Sequence, residues 1–286
     1  MTPVDHDSPT AIRDALETLG ISLKKRWGQN FLINPGARRK ILSALGALPG
    51  DPVWEIGPGL GAMTGWILSA GARVTAFEID RGLCRYLAGI YGTRGGFTLV
   101  EGDFLKTWKA ACGAGLPRRV FGNLPYSSAS LMIASLAEAG VRAEIMLFTV
   151  QRELGERILA DPGTKAYSAF SVLCQTGFNS SLLGILKPGS FYPVPEVESS
   201  IVRMAPREEG EGIADRGILS ALARMLFSSR RKTIRNNIPT DGIPPHWSRE
   251  LILDAMGGEG IDPGRRAEEL SPGDYIRLAV RLARFK

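Results

Sequence analysis

Five short apolar segments, separated by stretches with helical periodicity, constrain most strongly how this 286-residue chain can fold. The segments begin at Val53, Arg73, Phe97, Arg119 and Ile145. Short apolar runs that alternate with helices are typical of buried strands in a parallel sheet covered by helices on both faces. The sequence therefore predicts an α/β fold with a doubly wound, mostly parallel sheet that binds ligands at the carboxyl ends of its strands.

Four of these strands end at a glycine or a polar residue, namely Gly57, Glu78, Asp103 and Asn123. Gly57 opens a turn with a glycine at every second position up to Gly61, and this spacing differs from the dinucleotide-binding fingerprint. Taken alone, either acid is as compatible with an N-cap of the following helix as with a ligand contact. Because all four groups meet at one sheet edge, together they favour a nucleoside-sized site.

S-adenosylmethionine fits such a site. We expect Glu78 to bind the ribose hydroxyls, Asp103 to bind the adenine amine, and the turn from Gly57 to Gly61 to contact the methionine part. The sulfonium carries its own leaving group, so methyl transfer requires neither a histidine nor a metal ion. With only two histidines and three scattered cysteines in the chain, we expect no metal site.

The strand that starts at Arg119 ends in Asn-Leu-Pro-Tyr, residues 123–126, which can hold a flat amine. The lone pair of an adenine amine is delocalised into the ring, so acceptors aimed at its hydrogens are needed to make it nucleophilic. We expect the Asn123 side-chain oxygen and the Leu124 carbonyl to supply them, while Tyr126 stacks on the ring. The alternative is a simple turn that ends a strand.

Phe191 opens a proline-stiffened loop, Phe-Tyr-Pro-Val-Pro, and is a second candidate aromatic. It could be a core residue. In the functional interpretation, it offers a second stacking face, and the target base lies between Tyr126 and Phe191 after it has left its own stack.

Basic residues exceed acidic ones by 35 to 29, so the chain has a formal net charge of +6 and a pI near 9.4. This balance suits a polyanionic partner. Three basic clusters are candidate RNA contacts, with a solvated charged surface as the alternative for each. The first consists of Lys24, Lys25 and Arg26, the second of Arg230, Arg231, Lys232 and Arg235, and the third of Arg277, Arg281 and Arg284 on one face of a C-terminal helix.

We expect an N-terminal helical extension over residues 1–22, a catalytic domain over 23–206, and a helical RNA- or ribosome-binding domain over 213–286. Ser8 and Asn34, each followed by proline, predict the N-caps of the first two helices. A polar, glycine-rich stretch after Ala205 marks the boundary. Nothing resembles a membrane span or a signal peptide, and the odd number of scattered cysteines indicates reduced thiols, so we expect a cytoplasmic protein.

From about Leu23 to Ser271, the chain resembles the ribosomal RNA adenine dimethyltransferase family, the enzymes that methylate two adjacent adenines near the small-subunit 3′ end. Six motifs carry the resemblance, and the helix before Leu23 has no counterpart among them. The motifs are Gly28-Gln-Asn-Phe-Leu32, Glu55-x-Gly-x-Gly-x-Gly61, Asn123-Leu-Pro-Tyr126, Phe191-x-Pro-x-Pro195, Arg230-Arg-Lys-Thr-Ile-Arg235 and Arg265-Arg-Ala-Glu-Glu-Leu-Ser271.

The resemblance implies a class I, Rossmann-like S-adenosylmethionine-dependent methyltransferase. Such an enzyme transfers four methyl groups, two per adenine, on a partly assembled small subunit. We expect it to act as a monomer. The family's cofactor contacts map onto Asn30, Leu32, Gly57, Glu78, Asp103 and Asn123. Asn34 and Glu196 depart from the family's usual Asp and Lys at those positions.

Two other functions remain open on the sequence. A relative acting on large-subunit rRNA to confer antibiotic resistance would share the front domain, but the motifs at 230–235 and 265–271 argue against it. A non-catalytic RNA-binding assembly factor could retain the fold, although the intact Asn-Leu-Pro-Tyr turn at 123–126 argues for activity. A nicotinamide dehydrogenase is disfavoured because the glycine spacing is wrong.

Overall fold

A seven-stranded sheet forms the centre of the computed structural model, which describes residues 3–23, 28–207, 215–240 and 247–285. Its strand order is β4-β3-β2-β5-β6-β9-β7, and a separate two-stranded sheet pairs β1 with β8. The strands are β1 (Phe31–Leu32), β2 (Pro52–Ile56), β3 (Arg73–Glu78), β4 (Phe97–Glu101), β5 (Arg119–Asn123), β6 (Ile145–Gln151), β7 (Phe178–Leu186), β8 (Phe191–Tyr192) and β9 (Ser199–Pro206).

The five strands predicted from the sequence are all present. They pair in parallel in the order β4-β3-β2-β5-β6, while β9 is antiparallel to β6. Strand order reverses between β2 and β5, and at such a switch point the loops that follow neighbouring strands separate and leave a crevice. The predicted doubly wound, mostly parallel sheet is therefore confirmed.

Twelve α-helices connect and extend these strands within the described residues. They are α1 (Pro9–Thr18), α2 (Pro35–Leu45), α3 (Thr64–Ser69), α4 (Arg81–Tyr91), α5 (Phe104–Ala111), α6 (Ala129–Glu138), α7 (Arg152–Leu159), α8 (Ala169–Gly177), α9 (Arg216–Leu226), α10 (Ile234–Asn237), α11 (Arg249–Gly258) and α12 (Pro272–Leu282). None of the described helices is long and apolar enough to cross a bilayer.

Helix starts follow the capping signals in the sequence. The Ser8 side chain accepts from the Ala11 backbone amide, and that of Asn34 accepts from Ala37, each with proline in the first turn as predicted. Helix α2 ends at Leu45, because Gly46 adopts a left-handed conformation with φ of 55°.

The chain divides into two compact units. Unit 1 comprises residues 1–132, 142–155 and 181–205, and unit 2 comprises 133–141, 156–180 and 206–286. The helical segment 1–22, predicted as an extension, therefore belongs to unit 1. Unit 2 takes in helix α8 and other segments that the sequence analysis assigned to the large domain. In unit 2, Leu219, Leu222 and Leu226 are buried in one core cluster with residues of α11 and α12, as their helical spacing predicts.

Candidate active site

The turn after β2 brings backbone close to two aromatic rings of unit 1. Gly57, Gly59 and Gly61 all have positive φ, at 70°, 59° and 82°. A Cβ on Gly59 would lie 2.9 Å from the Phe31 ring, and one on Gly61 would lie 2.8 Å from the Tyr91 ring. A larger residue at either position would therefore push an aromatic ring away in addition to straining the backbone.

A cavity of about 440 Å³ opens at the carboxyl edge of the sheet within unit 1. This volume falls in the range of small-molecule sites, which is about 300 to 1,000 Å³. The cavity wall includes all six residues to which the resemblance assigns cofactor contacts: Asn30, Leu32, Gly57, Glu78, Asp103 and Asn123. The structure thus brings together residues that lie up to 93 positions apart in the chain, as the Asn123–Asn30 contact shows.

Glu78 is a buried carboxylate that faces this cavity. It accepts hydrogen bonds from the backbone amides of Gly59 at 3.2 Å and Asp80 at 2.9 Å. Asp80, and not Glu78, caps helix α4. The helix-cap alternative for Glu78 is therefore excluded. Burial raises the pKa of Glu78 to about 7.

Glu55 is a second buried carboxylate on the cavity wall. It accepts a 2.6 Å hydrogen bond from the Thr64 hydroxyl. Burial, and secondarily the charge of Glu78, raises its pKa to about 7. Two carboxylates that titrate near neutral pH thus line one cavity, and their charged forms favour a cationic ligand.

Asp103 is a helix cap and also lies on the cavity wall. Its side chain caps helix α5 by accepting from the Leu105 amide at 3.0 Å, and the residue lines the cavity. Capping a helix uses only some of the lone pairs of a carboxylate, so it does not prevent a further contact to an amine.

Asn123 is fixed by a hydrogen bond from its Nδ2 atom to the backbone carbonyl of Asn30, at 2.6 Å. Because the amide nitrogen is used in this contact, the Oδ1 atom is the part of the side chain that can accept a hydrogen from a ligand. The residue lines the cavity, at the end of β5 next to β6. Its role as an acceptor for an amine stays a prediction.

The other residues of this turn, Leu124 and Tyr126, form hydrogen bonds to neighbouring strands. The Leu124 amide donates to the Thr149 carbonyl at 3.0 Å, and the Leu124 side chain is buried. Gly122 leaves space for it, because a Cβ there would lie 2.5 Å from the Leu124 Cδ2 atom. The Tyr126 hydroxyl hydrogen-bonds to the Ser199 hydroxyl at 2.6 Å, which ties this turn to the start of β9. Tyr126 itself is half-buried and is not part of the cavity wall described above.

Phe191 does not offer the predicted stacking face in this structure. Only 1% of the residue is exposed, and it belongs to the core cluster of unit 1 together with Leu32, its neighbour across the β1–β8 pair. Pairing of β8 with β1 directs the side chain into the core. The alternative that the sequence left open, a core aromatic, is the one observed.

The structure describes only some of the candidate RNA-contacting residues. Lys24, Lys25 and Arg26 lie outside the described residues. In unit 2, Arg231, Lys232 and Arg235 are exposed.

Arg230, by contrast, donates to the carbonyls of Thr164, Lys165 and Tyr167 and approaches Glu268 at 3.7 Å. Its guanidinium therefore stabilises unit 2, and with its side chain 40% exposed its role as an RNA contact stays a prediction.

Sequence reasoning missed part of the cavity wall. His6 and Ile12, from the N-terminal segment, line the cavity, and so do Pro125, Ser127 and Ser128. Glu55 stood in a motif without an assigned role. No sequence signal singles out His6, because its proximity to the cavity depends on contacts between segments far apart in the chain. In the part of the chain that the structure describes, no group of His, Cys, Asp and Glu could hold a metal ion.

Comparisons with known proteins agree with this geometry. A family model described as ribosomal RNA adenine dimethylase matches residues 20–284. A protein from Treponema denticola named ribosomal RNA small subunit methyltransferase A is 40% identical, over 98% of this chain and 96% of its own length. A protein of the same name from Aromatoleum aromaticum is also 40% identical, over 91% of this chain and 94% of its own.

Solved structures share the fold. A dimethyladenosine transferase from Plasmodium falciparum superimposes with a TM-score of 0.72 at 24% identity, covering 88% of this chain and 96% of its own. The 23S rRNA methyltransferase ErmE superimposes with a TM-score of 0.61 at 23% identity, covering 88% of this chain and 99% of its own. Together they confirm a class I methyltransferase fold.

Proposed function

We propose, since the chain belongs to the ribosomal RNA adenine dimethylase family, that it dimethylates the N6 amines of two adjacent adenines near the 3′ end of small-subunit rRNA. It is a methyltransferase, and its methyl donor is S-adenosylmethionine. The observation that carries the proposal is the Asn123 amide, which is anchored at 2.6 Å on the Asn30 carbonyl and lines a cavity of suitable size for the donor.

The residues of the cavity fit S-adenosylmethionine. Glu78 has lone pairs left for the ribose hydroxyls after it accepts two backbone amides, and Asp103 can accept from the adenine amine while it caps α5. The glycine turn allows close approach of the methionine part. When bound, the donor supplies an electrophilic methyl group on a positively charged sulfur, and the carboxylates of Glu55 and Glu78 favour this charge.

At the target base, Asn123 and Leu124 make the nitrogen reactive. The Asn123 Oδ1 atom and the Leu124 carbonyl accept the two amine hydrogens, so that the nitrogen lone pair is directed out of the ring plane toward the methyl carbon. The bound donor would supply the methyl carbon to this nitrogen with its sulfur as the leaving group that keeps the electron pair, and the amine proton would pass to solvent. Tyr126, held by Ser199, stacks on the base. The enzyme acts by positioning and electrostatics, without a covalent intermediate.

The RNA contacts are proposed for the exposed Arg231, Lys232 and Arg235 of unit 2 and for Lys24, Lys25 and Arg26. A partly assembled small subunit is the proposed substrate particle, and the enzyme is proposed to work as a cytoplasmic monomer. The three cysteines, which are free thiols, support a reducing compartment.

The test is methylation of isolated ribosomal subunits with tritiated S-adenosylmethionine. Small subunits from cells that lack this modification should incorporate label, whereas matched large subunits and already modified small subunits should not. Label in the large subunit would support the resistance-type function instead. If neither subunit is labelled although this protein binds S-adenosylmethionine, the result would indicate a non-catalytic assembly factor.

A further inference from the structure

The N-terminal segment, residues 3–23, packs against the nucleotide-binding half of unit 1. Ile12 and Leu16 of α1 are buried with Leu83 and Leu87 of α4. The backbone amide of Val4 donates to the Tyr86 hydroxyl at 3.1 Å. The N-terminal segment is therefore anchored both through α1 and through Val4. These contacts fix the course of the six residues that precede α1.

Arg38 of helix α2 fixes the position of His6. The Arg38 guanidinium is 3% exposed, and its Nη1 atom donates both to the His6 carbonyl at 3.0 Å and to the Leu32 carbonyl at 2.9 Å. Its Nη2 atom pairs with Asp7, and its Cζ lies 5.3 Å from the centre of the Trp66 ring. A buried cation with these contacts holds His6 beside strand β1.

As a result, His6 reaches the wall of the cavity, half-buried, together with Ile12. Strand β1 and the glycine turn form this side of the cavity, since the Phe31 ring would contact a Cβ on Gly59 at 2.9 Å. Under the proposed function, the glycine turn contacts the methionine part of the donor. His6 is thus close to the amino-acid end of the donor rather than to its adenine, which Asp103 receives.

We propose that His6 is a donor-binding residue, and that its imidazole N–H donates a hydrogen bond to the carboxylate of the methionine part of S-adenosylmethionine. This inference rests on the proposed function. Arg38 is paired with Asp7 at this end of the cavity, so its guanidinium holds the segment in place while the His6 N–H supplies the contact to the carboxylate. Glu55 and Glu78 favour the cationic groups of the same ligand elsewhere on the wall.

The protonation state of His6 suits this role. Burial, and secondarily the nearby Arg38, lowers its pKa to about 4, against the opposing effects of Asp5 and Asp7. The imidazole is therefore neutral at physiological pH and offers one donor and one acceptor. Its contribution to binding should not change between about pH 6 and about pH 8.

Calorimetric titration with two ligands separates binding from support of the fold. S-adenosylhomocysteine has the amino-acid end, and 5′-methylthioadenosine lacks it. In the full chain, His6→Ala should weaken S-adenosylhomocysteine binding about tenfold, as expected for a lost hydrogen bond to a charged group, and leave 5′-methylthioadenosine binding unchanged. The tenfold ratio should be the same at about pH 6 and about pH 8.

The conservative variant His6→Asn retains an N–H donor and should recover part of the affinity for S-adenosylhomocysteine. Arg13→Ala is the matched control, because Arg13 lies on α1 with its side chain 56% exposed. An equal loss for both ligands would show that His6 only supports the fold, and no loss for either would show that it does not touch the donor. Both outcomes overturn the inference but leave the proposed function intact. Failure of the wild-type chain to bind either ligand would contradict the proposed function itself.

Discussion

The nitrogen of the Asn123 side-chain amide is held in a hydrogen bond, and its oxygen is available to a ligand. Its Nδ2 atom binds the Asn30 carbonyl, so the amide cannot rotate to present its nitrogen to the cavity without losing that contact. An acceptor fixed in this way can favour the reactive geometry of an amine without reorganising during the reaction.

Asn123→Ala should lower turnover by about a hundredfold or more, since it removes one preorganised group that acts on the reacting atom. RNA affinity should stay within a few-fold of wild type. Single-turnover methylation and filter binding measure the two quantities. Asn179→Ala, at an exposed position on β7, is the matched control. Normal turnover in Asn123→Ala would remove the assigned role.

Glu55 and Glu78 make the free enzyme sensitive to pH. The pKa of Glu55 rises from an ordinary value of 4.5 to about 7 on folding, so the native state binds more protons than the unfolded state between these values. The stabilisation from this residue is complete below about pH 4.5 and is lost as the pH rises through about 7.

Glu55→Gln keeps the side-chain shape and an acceptor for Thr64, but it cannot ionise. Relative to wild type, the ligand-free variant should be more stable at about pH 8, by about 1 to 3 kcal/mol, and nearly equal at about pH 4.5. Urea unfolding at both pH values measures the difference. A difference that is the same at both pH values would show that Glu55 is not the group that titrates.

The elements of the central sheet could be predicted from the sequence because buried parallel strands read as short apolar runs. The strands that start at Arg73 and Phe97 end at Glu78 and Glu101, within two residues of the predicted ends, and Glu78 and Asp103 fall at the same sheet edge. The outcome for Phe191 depends on the pairing of β8 with β1, a contact that has no local signal.

In unit 2, the sequence likewise does not show which charged side chains are free to bind a partner. A run of basic residues predicts a charged surface, but it does not indicate which side chain folds back on the protein. Arg230 binds three backbone carbonyls, and Arg277 and Arg281 of α12 pair with Glu259 at 3.6 and 3.5 Å. Exposed Arg231 and Arg235 are the better candidates for phosphate contacts.

The double variant Arg231→Ala and Arg235→Ala should therefore weaken RNA binding and reduce the slope of log affinity against log salt by about 1 to 2, because two phosphate contacts are lost. Cofactor affinity should not change. The matched control is Arg277→Ala with Arg281→Ala, whose charges are already paired and whose removal should leave the slope nearly unchanged. Equal effects of both double variants would contradict the assignment of these contacts to residues 231 and 235.

On the scale of the whole molecule, the compact units are built from interleaved segments rather than from two consecutive halves of the chain. Unit 1 contains the entire cavity wall, from His6 to Met132, and unit 2 contains the exposed arginines at 231 and 235. Composition predicts a domain boundary after Ala205, because only the polar, glycine-rich stretch there lacks periodicity. Segments 133–141 and 156–180 join unit 2 through packing, which composition does not encode.

The central claim is that the enzyme dimethylates adenine in small-subunit rRNA, with the donor in the cavity and the target amine at the Asn123 turn. Mass-spectrometric mapping of small subunits after reaction with S-adenosylmethionine tests it most directly, with the Asn123→Ala enzyme as the matched control. We expect four methyl groups per particle, on the N6 atoms of two adjacent adenines near the 3′ end, and none with the variant. Methyl groups on another base or another subunit, or an unchanged pattern with the variant, would contradict the claim.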